Sequence, residues 1–457
     1  MQSTLTLPAG ISRERLALVA SAERALYRDR NPKSAALATR AAQHLMFGVP
    51  LHWMNDWATP FPLQVAEAHG AELIDADGHR LADFCLGDTG AMFGHSPPTV
   101  AAAVQAQAAR GLTAMLPGED AAVVGELLAE RFGLPLWQFA LTATDANRFV
   151  LRWLRAATGR RTLLVFNGCY HGTVDDVFVD LVGGRPVQRD SLLGQVQDLT
   201  ATTRVVEFND LAALEAALAP GDVACVLAEP VMTNIGMVLP DPGFWDAAQA
   251  LIKRHGTYLV LDETHTVSSG PGGYTRAHGL RPDAVVLGKP LGGGVPCAAY
   301  GFSAELAEAA VRAKRAAPPG HSGIGTTLSG NLLAMAAMRA TLSTLMTDAV
   351  FGPMHVRCEQ LAQGLRERIA GRGLPWCVSQ VGARCEFQFC AHPPRHGSQA
   401  EAAMDPALEQ ALHLFLLNRG VLITPFHNMM LVCPQTTDAA IARLLDAFDD
   451  ALHALTA

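Results

Sequence analysis

The sequence predicts an α/β protein: a three-layer α/β/α domain on a mostly parallel sheet, accompanied by a smaller α+β domain. Three observations lead there. From about residue 97, short apolar runs alternate with helical segments. Those runs are continuously apolar instead of alternating, as expected of strands covered on both faces. Charged residues recur just after them, at Glu229, Asp262 and Lys289. Ligands of open α/β sheets bind beyond the carboxyl ends of the strands, so these three side chains are expected to face one crevice.

The elements follow in order. Residues 1–60 read as a helix and an irregular arm that ends in the aromatic segment "PLHWMNDWATPFP". "LQVAEAHGAELIDADGHRLADF" reads as a strand, a turn at Asp77-Gly78 and a second strand. "TVAAAVQAQAARGL" is helical, "FALTAT" is a strand, and "ANRFVLRWLRAATG" is a helix closed by Gly159. Strands are then expected in "RTLLVF", "TRVVEF", "VACVLAEP", "GTYLVLDE" and "DAVVLG". After "GIGTTLSGN" comes a long helix, "LLAMAAMRATLSTLM". The remainder reads as amphipathic helices, strands in "RCEFQF" and "MMLVCP", and a final helix.

Composition narrows the class. The chain has 457 residues, 49% hydrophobic and 17% charged, which suits a folded enzyme rather than a disordered chain. A net charge of -8 without a basic run argues against a nucleic-acid partner. No apolar stretch reaches the roughly 18–20 residues of a membrane span, and the N-terminus has no secretory signal pattern, so a cytoplasmic protein is expected. The nine cysteines run from Cys85 to Cys433 without a CxxC pair, and the sixteen histidines show no HExxH. Reduced thiols and no metal site are therefore expected. The lack of a G-x-G-x-x-G after an early strand disfavours a dinucleotide-binding dehydrogenase.

Lys289 lies between an apolar strand and a run of glycines, on a turn bounded by Gly288 and Pro290. A shielded lysine amine forms a Schiff base with an aldehyde. An Asp at the end of a neighbouring strand, here Asp262, is what the pyridine nitrogen of pyridoxal phosphate requires to stay protonated. The strand-to-helix junction "LTATDANRF" offers backbone N–H groups to a phosphate.

These segments together resemble a class III aminotransferase, the fold-type-I pyridoxal phosphate family that includes ω-aminotransferases and glutamate-1-semialdehyde aminomutase. The resemblance runs from about residue 65 to the C-terminus, with motifs in family order. "TATDANRFVLRWLRAATGR" resembles the phosphate loop and its helix, implying Ala143 and Thr144 as cofactor contacts. "FNGCYHG" implies that Tyr170 stacks on the pyridine ring, and "LAEPVMTNIG" resembles the family's EP segment at Glu229. "LVLDETHT" implies Asp262 as the partner of the pyridine nitrogen and His265 as a neighbour of the phenolic oxygen. "PDAVVLGKPLGGGVP" implies Lys289 as the Schiff-base lysine. "GTTLSGN" implies that Thr327 reaches the phosphate of a neighbouring subunit, hence a homodimer. The domains expected from this likeness are an N-terminal arm and part of the small domain over 1–75, a large cofactor-binding domain over 76–330 and a C-terminal small domain over 331–457.

Departures from the family pattern bear on substrate. Ala143 replaces the loop glycine, and Asp145 the following glutamate. His265 stands where the family often has glutamine, valine or methionine. "GVPLHWMNDW" and "ITPFHNMM" carry no arginine at the places where relatives grip a substrate carboxylate. Trp53, Trp57, Phe61, Phe426 and His427 are offered instead, and Arg384 in "VGARCEF" is the best spare guanidinium. The leading expectation is transfer of an amino group between an amine or amino acid and an oxo acid, ketone or aldehyde. The alternative is an isomerase, an aminomutase or racemase, with the same catalytic residues; a lyase and a non-catalytic cofactor-binding protein rank lower.

Overall fold

The computed structural model describes residues 9–457, so residues 1–8 of the expected arm lie outside it. The chain divides into two units. One contains the described residues up to Pro97 with Gly352–Pro393 and Ala403–Ala457; the other contains Pro98–Phe351 and Pro394–Ala402.

The second unit is built on seven strands: β1 (Leu136–Ala140), β2 (Thr162–Phe166), β3 (Thr203–Val206), β4 (Val223–Ala228), β5 (Tyr258–Asp262), β6 (Ala284–Leu287) and β7 (Ala298–Phe302). Their order in the sheet is β1-β7-β6-β5-β4-β2-β3. Adjacent strands from β6 through β3 run parallel. β7 runs antiparallel to both β6 and β1. Every residue of β4 and β6 is buried, which is why these runs are apolar throughout.

Helix α1 (Ala143–Thr158) shows why the sequence folds this way locally. The Thr142 side chain accepts from the N–H of Asp145 and caps its start, and Gly159 closes it at φ 68°. Its buried face carries Ala146, Val150 and Leu154 at helical spacing, with Asn147 and Leu151 alongside. The apolar ones among these side chains join Val165, Leu227, Val260 and Val286 in one core.

Strand β7 is missing from the sequence-based expectation because "AAYGF" carries no β-branched residue. The reason lies in packing: Gly301 pairs with Trp137 of β1. A Cβ at Gly301 would lie 2.6 Å from the Trp137 indole. A hairpin of Val179–Val182 and Arg185–Gln188, turned by Gly183 and Gly184 at positive φ, was likewise unmarked by apolar alternation.

In the first unit, the expected strand pair over residues 63–84 is three strands, Val65–His69, Glu72–Asp75 and Arg80–Asp83, extended by Val421–Leu422. The turn at Asp77-Gly78 is present, with Gly78 at φ 92°, and a second turn at Gly70 divides the first run. A separate sheet joins Cys377–Val381, Arg384–Gln388 and Met429–Leu431. The helices Arg13–Arg30, Pro406–Asn418 and Asp438–Thr456 belong to the same unit. Among the described residues no helix is long and apolar enough to cross a membrane.

Gly301→Ala should force a methyl group into the indole and lower stability by about 1–3 kcal/mol. Urea unfolding checks this; an unchanged midpoint would show that Trp137 moves aside freely.

Candidate active site

The C-terminal ends of β4, β5 and β6 lie side by side, with Leu261 paired to Ala228 and Asp262 to Val286. This juxtaposition sets Glu229, Asp262 and the turn bearing Lys289 along one edge of the sheet, as the sequence suggested. The start of α1 completes that edge. A Cβ at Gly288 would sit 2.8 Å from the Ala143 Cβ, so only glycine lets the lysine turn approach the helix this closely. Lys289 itself has φ 42°, a left-handed conformation that costs a non-glycine residue about 1–3 kcal/mol and persists where the surroundings enforce it. The half-buried amine reaches His265: Lys289 Nζ lies 2.6 Å from His265 Nε2.

Asp262 is buried and bonded through both carboxylate oxygens. Its Oδ1 accepts from the N–H of Thr264 at 3.1 Å and from the Thr264 hydroxyl at 2.6 Å. Its Oδ2 accepts from Asn147 Nδ2 at 2.8 Å and meets His171 Nδ1 at 3.0 Å. Burial alone would raise this carboxyl, but the bond and charge of His171, with Thr264 and Asn147, outweigh it and hold Asp262 below the usual carboxylate range. Burial pulls the His171 imidazole down, and Asp262, joined by Cys169, more than reverses this, pushing it up to about 10. The two form a buried ion pair.

His171 and Asn147 were not singled out from sequence. The signal existed for both. Asn147 lies on the buried stripe of α1, where a polar side chain needs a partner. His171 follows Tyr170 in the segment already assigned to the ring.

The other expected residues fall as follows. Thr144 Oγ1 accepts from the N–H of Thr173 at 3.1 Å and packs on Gly172, where a Cβ would stand 2.1 Å away. Glu229 is raised by burial, though Thr233 and Asn234 donate to its Oε2. Tyr170 is 39% exposed, and Thr327 is exposed in the segment before the Asn331-capped helix Leu332–Thr344.

The proposed substrate residues all belong to the first unit. Trp53 and Phe426 meet edge-on, with ring centroids 6.0 Å apart, and both are partly exposed. Trp57 instead packs with Phe61 on a small core around Tyr27 and Leu73. His427 is buried, with Nδ1 3.0 Å from Glu386 Oε1. Burial lowers the His427 imidazole, but Glu386 overcomes that and raises it. Arg384, offered as a spare guanidinium for a substrate carboxylate, is fully buried on its strand and donates to the Thr89 hydroxyl.

The lysine amine, the ionised buried aspartate on the adjacent strand and the open start of α1 fit pyridoxal phosphate. Lys289 would hold its carbonyl carbon, Asp262 its ring nitrogen, and the N–H groups of Ala143 and Thr144 its phosphate.

The buried pair imposes a pH dependence on the apoprotein. His171 is raised from 6.5 to about 10, so its contribution is complete below the unfolded value and is lost as pH rises through the folded one. Asp262 is depressed, so its contribution is lost only as pH falls through acid. Stability measured by urea unfolding should therefore decline between about pH 6.5 and 10, and His171→Gln should flatten that decline. An equal decline in the variant would assign the effect to other groups.

Comparison with known proteins agrees with this chemistry. The class-III aminotransferase family model matches residues 53–452. A glutamate-1-semialdehyde 2,1-aminomutase of Sorangium cellulosum is 36% identical over 410 residues, covering 87% of this chain and 90% of that one. The crystal structure of a glutamate-1-semialdehyde-aminomutase from Pseudomonas aeruginosa has a TM-score of 0.96 at 47% identity, covering 98% of this chain and 100% of that one. A lysine-to-alanine variant of that protein was solved in complex with pyridoxamine phosphate. A β-phenylalanine aminotransferase from Variovorax paradoxus has a TM-score of 0.84 at 29% identity, covering 95% of this chain and 97% of that one. The fold is type I and the cofactor is pyridoxal phosphate. This chain belongs to the class-III aminotransferase family.

Proposed function

We propose that this protein is an aminomutase, exchanging an amino group and a carbonyl oxygen between carbons of one small amino-aldehyde substrate. The single observation that carries this reading is the close match, over nearly the whole chain, to an enzyme named for that reaction. Intermolecular transfer ranked first on sequence; the names of the similar proteins favour the intramolecular alternative. Transamination with a separate oxo acceptor is the second reading, supported by the likeness to β-phenylalanine aminotransferase. The lack of arginine in the two segments that usually grip a carboxylate favours a substrate whose carboxylate is remote from the reacting carbons.

When bound, pyridoxal phosphate withdraws electrons from the reacting carbon. The chain's own residues do the rest. Asp262, kept ionised by His171, Asn147 and Thr264, holds a proton on the ring nitrogen. Lys289 carries protons to and from substrate carbon, and its half-buried turn limits water around the amine. Tyr170 is assigned to the face of the ring, and exposed Thr327 to the phosphate site of a second copy in a homodimer. A cytoplasmic location fits these roles.

Three outcomes are expected. The holoenzyme, given the amino-aldehyde alone, should turn over repeatedly; arrest after one turnover per site until an oxo acid is added would establish the transaminase instead. Borohydride reduction and peptide mapping should mark Lys289, and Lys289→Ala should lower kcat by at least about 10²–10⁴-fold; a label on another lysine would sink the assignment. Light scattering should show a dimer, and mixing Lys289→Ala with Thr327→Val subunits should restore part of the activity through hybrid dimers. An active monomer would refute the role given to Thr327.

A further inference from the structure

We infer that His265 is the proton relay of Lys289, a positioning residue that acts through the lysine. This rests on the reading of Lys289 as the group that moves protons on the substrate. At 2.6 Å, the Nζ and Nε2 nitrogens are close enough that one must donate to the other. His265 is 5% exposed, and a hydrogen bond in such surroundings is stronger than in water. Both ends of the contact are fixed by the fold. The left-handed Lys289 is locked between β6 and the glycine turn, with Gly288 pressed on Ala143. His265 begins the turn Thr266–Ser269 immediately beyond the end of β5.

The acids on the elements around this pair are held by other donors. Asp262 has His171, Asn147 and Thr264. Glu263 accepts from the Thr266 hydroxyl and from the N–H groups of Tyr274 and Thr275. Glu229, at the end of β4, accepts from Thr233 and Asn234. His171 is committed to Asp262. The imidazole of His265 is a titratable base in direct contact with the lysine amine.

The step balances without another reactant. Lys289, protonated by taking hydrogen from a substrate carbon, breaks one Nζ–H bond as His265 Nε2 gains that proton. Positive charge passes from ammonium to imidazolium, and the amine regains its lone pair. The reverse transfer recharges Lys289 when the second carbon must be protonated. A glutamine, valine or methionine at this position has no titratable group for the task.

Two measurements test the relay. In the apoenzyme, limiting acetic anhydride acylates the neutral Lys289 amine, and mass spectrometry follows the yield across pH. At matched pH, the yield at Lys289 should differ several-fold between the wild type and both His265→Gln and His265→Met. Equal yields in all three throughout the range would overturn the proposal. With holoenzyme and substrate deuterated at the reacting carbon, wild type should lose deuterium to water, whereas both variants should return several-fold more of it to product. Equal retention would also overturn the proposal. Because acylation is read without cofactor, a failed relay remains distinguishable from a failed assignment of Lys289, which the borohydride map decides.

Discussion

A charged carboxylate buried at the edge of a sheet is the constraint on which the rest of this site depends. Removing a single partner from such a group costs about 3–5 kcal/mol, because the charge stays behind without compensation. Asp262 therefore recruits donors from three places in the chain: its own turn through Thr264, helix α1 through Asn147, and the segment after β2 through His171. Each donor fixes a different piece of the edge. The electron-demanding end of the cofactor site and the positions of α1 and β2 are settled by the same four bonds.

The neighbouring carboxylate shows the opposite use of the same residue type. Successive side chains at the end of a strand point in opposite directions. Glu263 consequently turns away from Asp262 and caps the turn leading into the short helix Gly273–Ala277. Gly273 lies against its carboxyl group, where a Cβ would stand 2.7 Å from the Glu263 Cδ. Of two adjacent acids, one serves chemistry and the other architecture, and their hydrogen-bond partners tell them apart.

Much of this was legible from the sequence because buried parallel strands leave a distinctive trace. Continuous apolar runs marked six of the seven strands, and charged residues at or just beyond their ends marked Lys289, Asp262 and Glu229. The seventh strand escaped because its small residues answer to Trp137 on its neighbour, a contact far away in sequence. His171 and Asn147 escaped for a related reason: their role arises from convergence on Asp262, which no local pattern encodes. Arg384 is a different case: a charged residue type is rarely fully buried, yet its strand, Arg384–Gln388, is buried along its whole length.

The one antiparallel strand of the seven-stranded sheet has a consequence for how the lysine is held. Because β7 returns beside β6, with Leu287 paired to Ala299, Lys289 sits in the connection of a β-hairpin and not at the start of a long crossover. A ten-residue loop anchored at both ends by paired strands has less conformational freedom to lose when ligand arrives than a longer one, which must be ordered at the moment of binding. The amine is thus presented by a tether closed in advance. Lengthening the Gly292-Gly293-Gly294 run would return entropy to the one group whose position the chemistry cannot let drift.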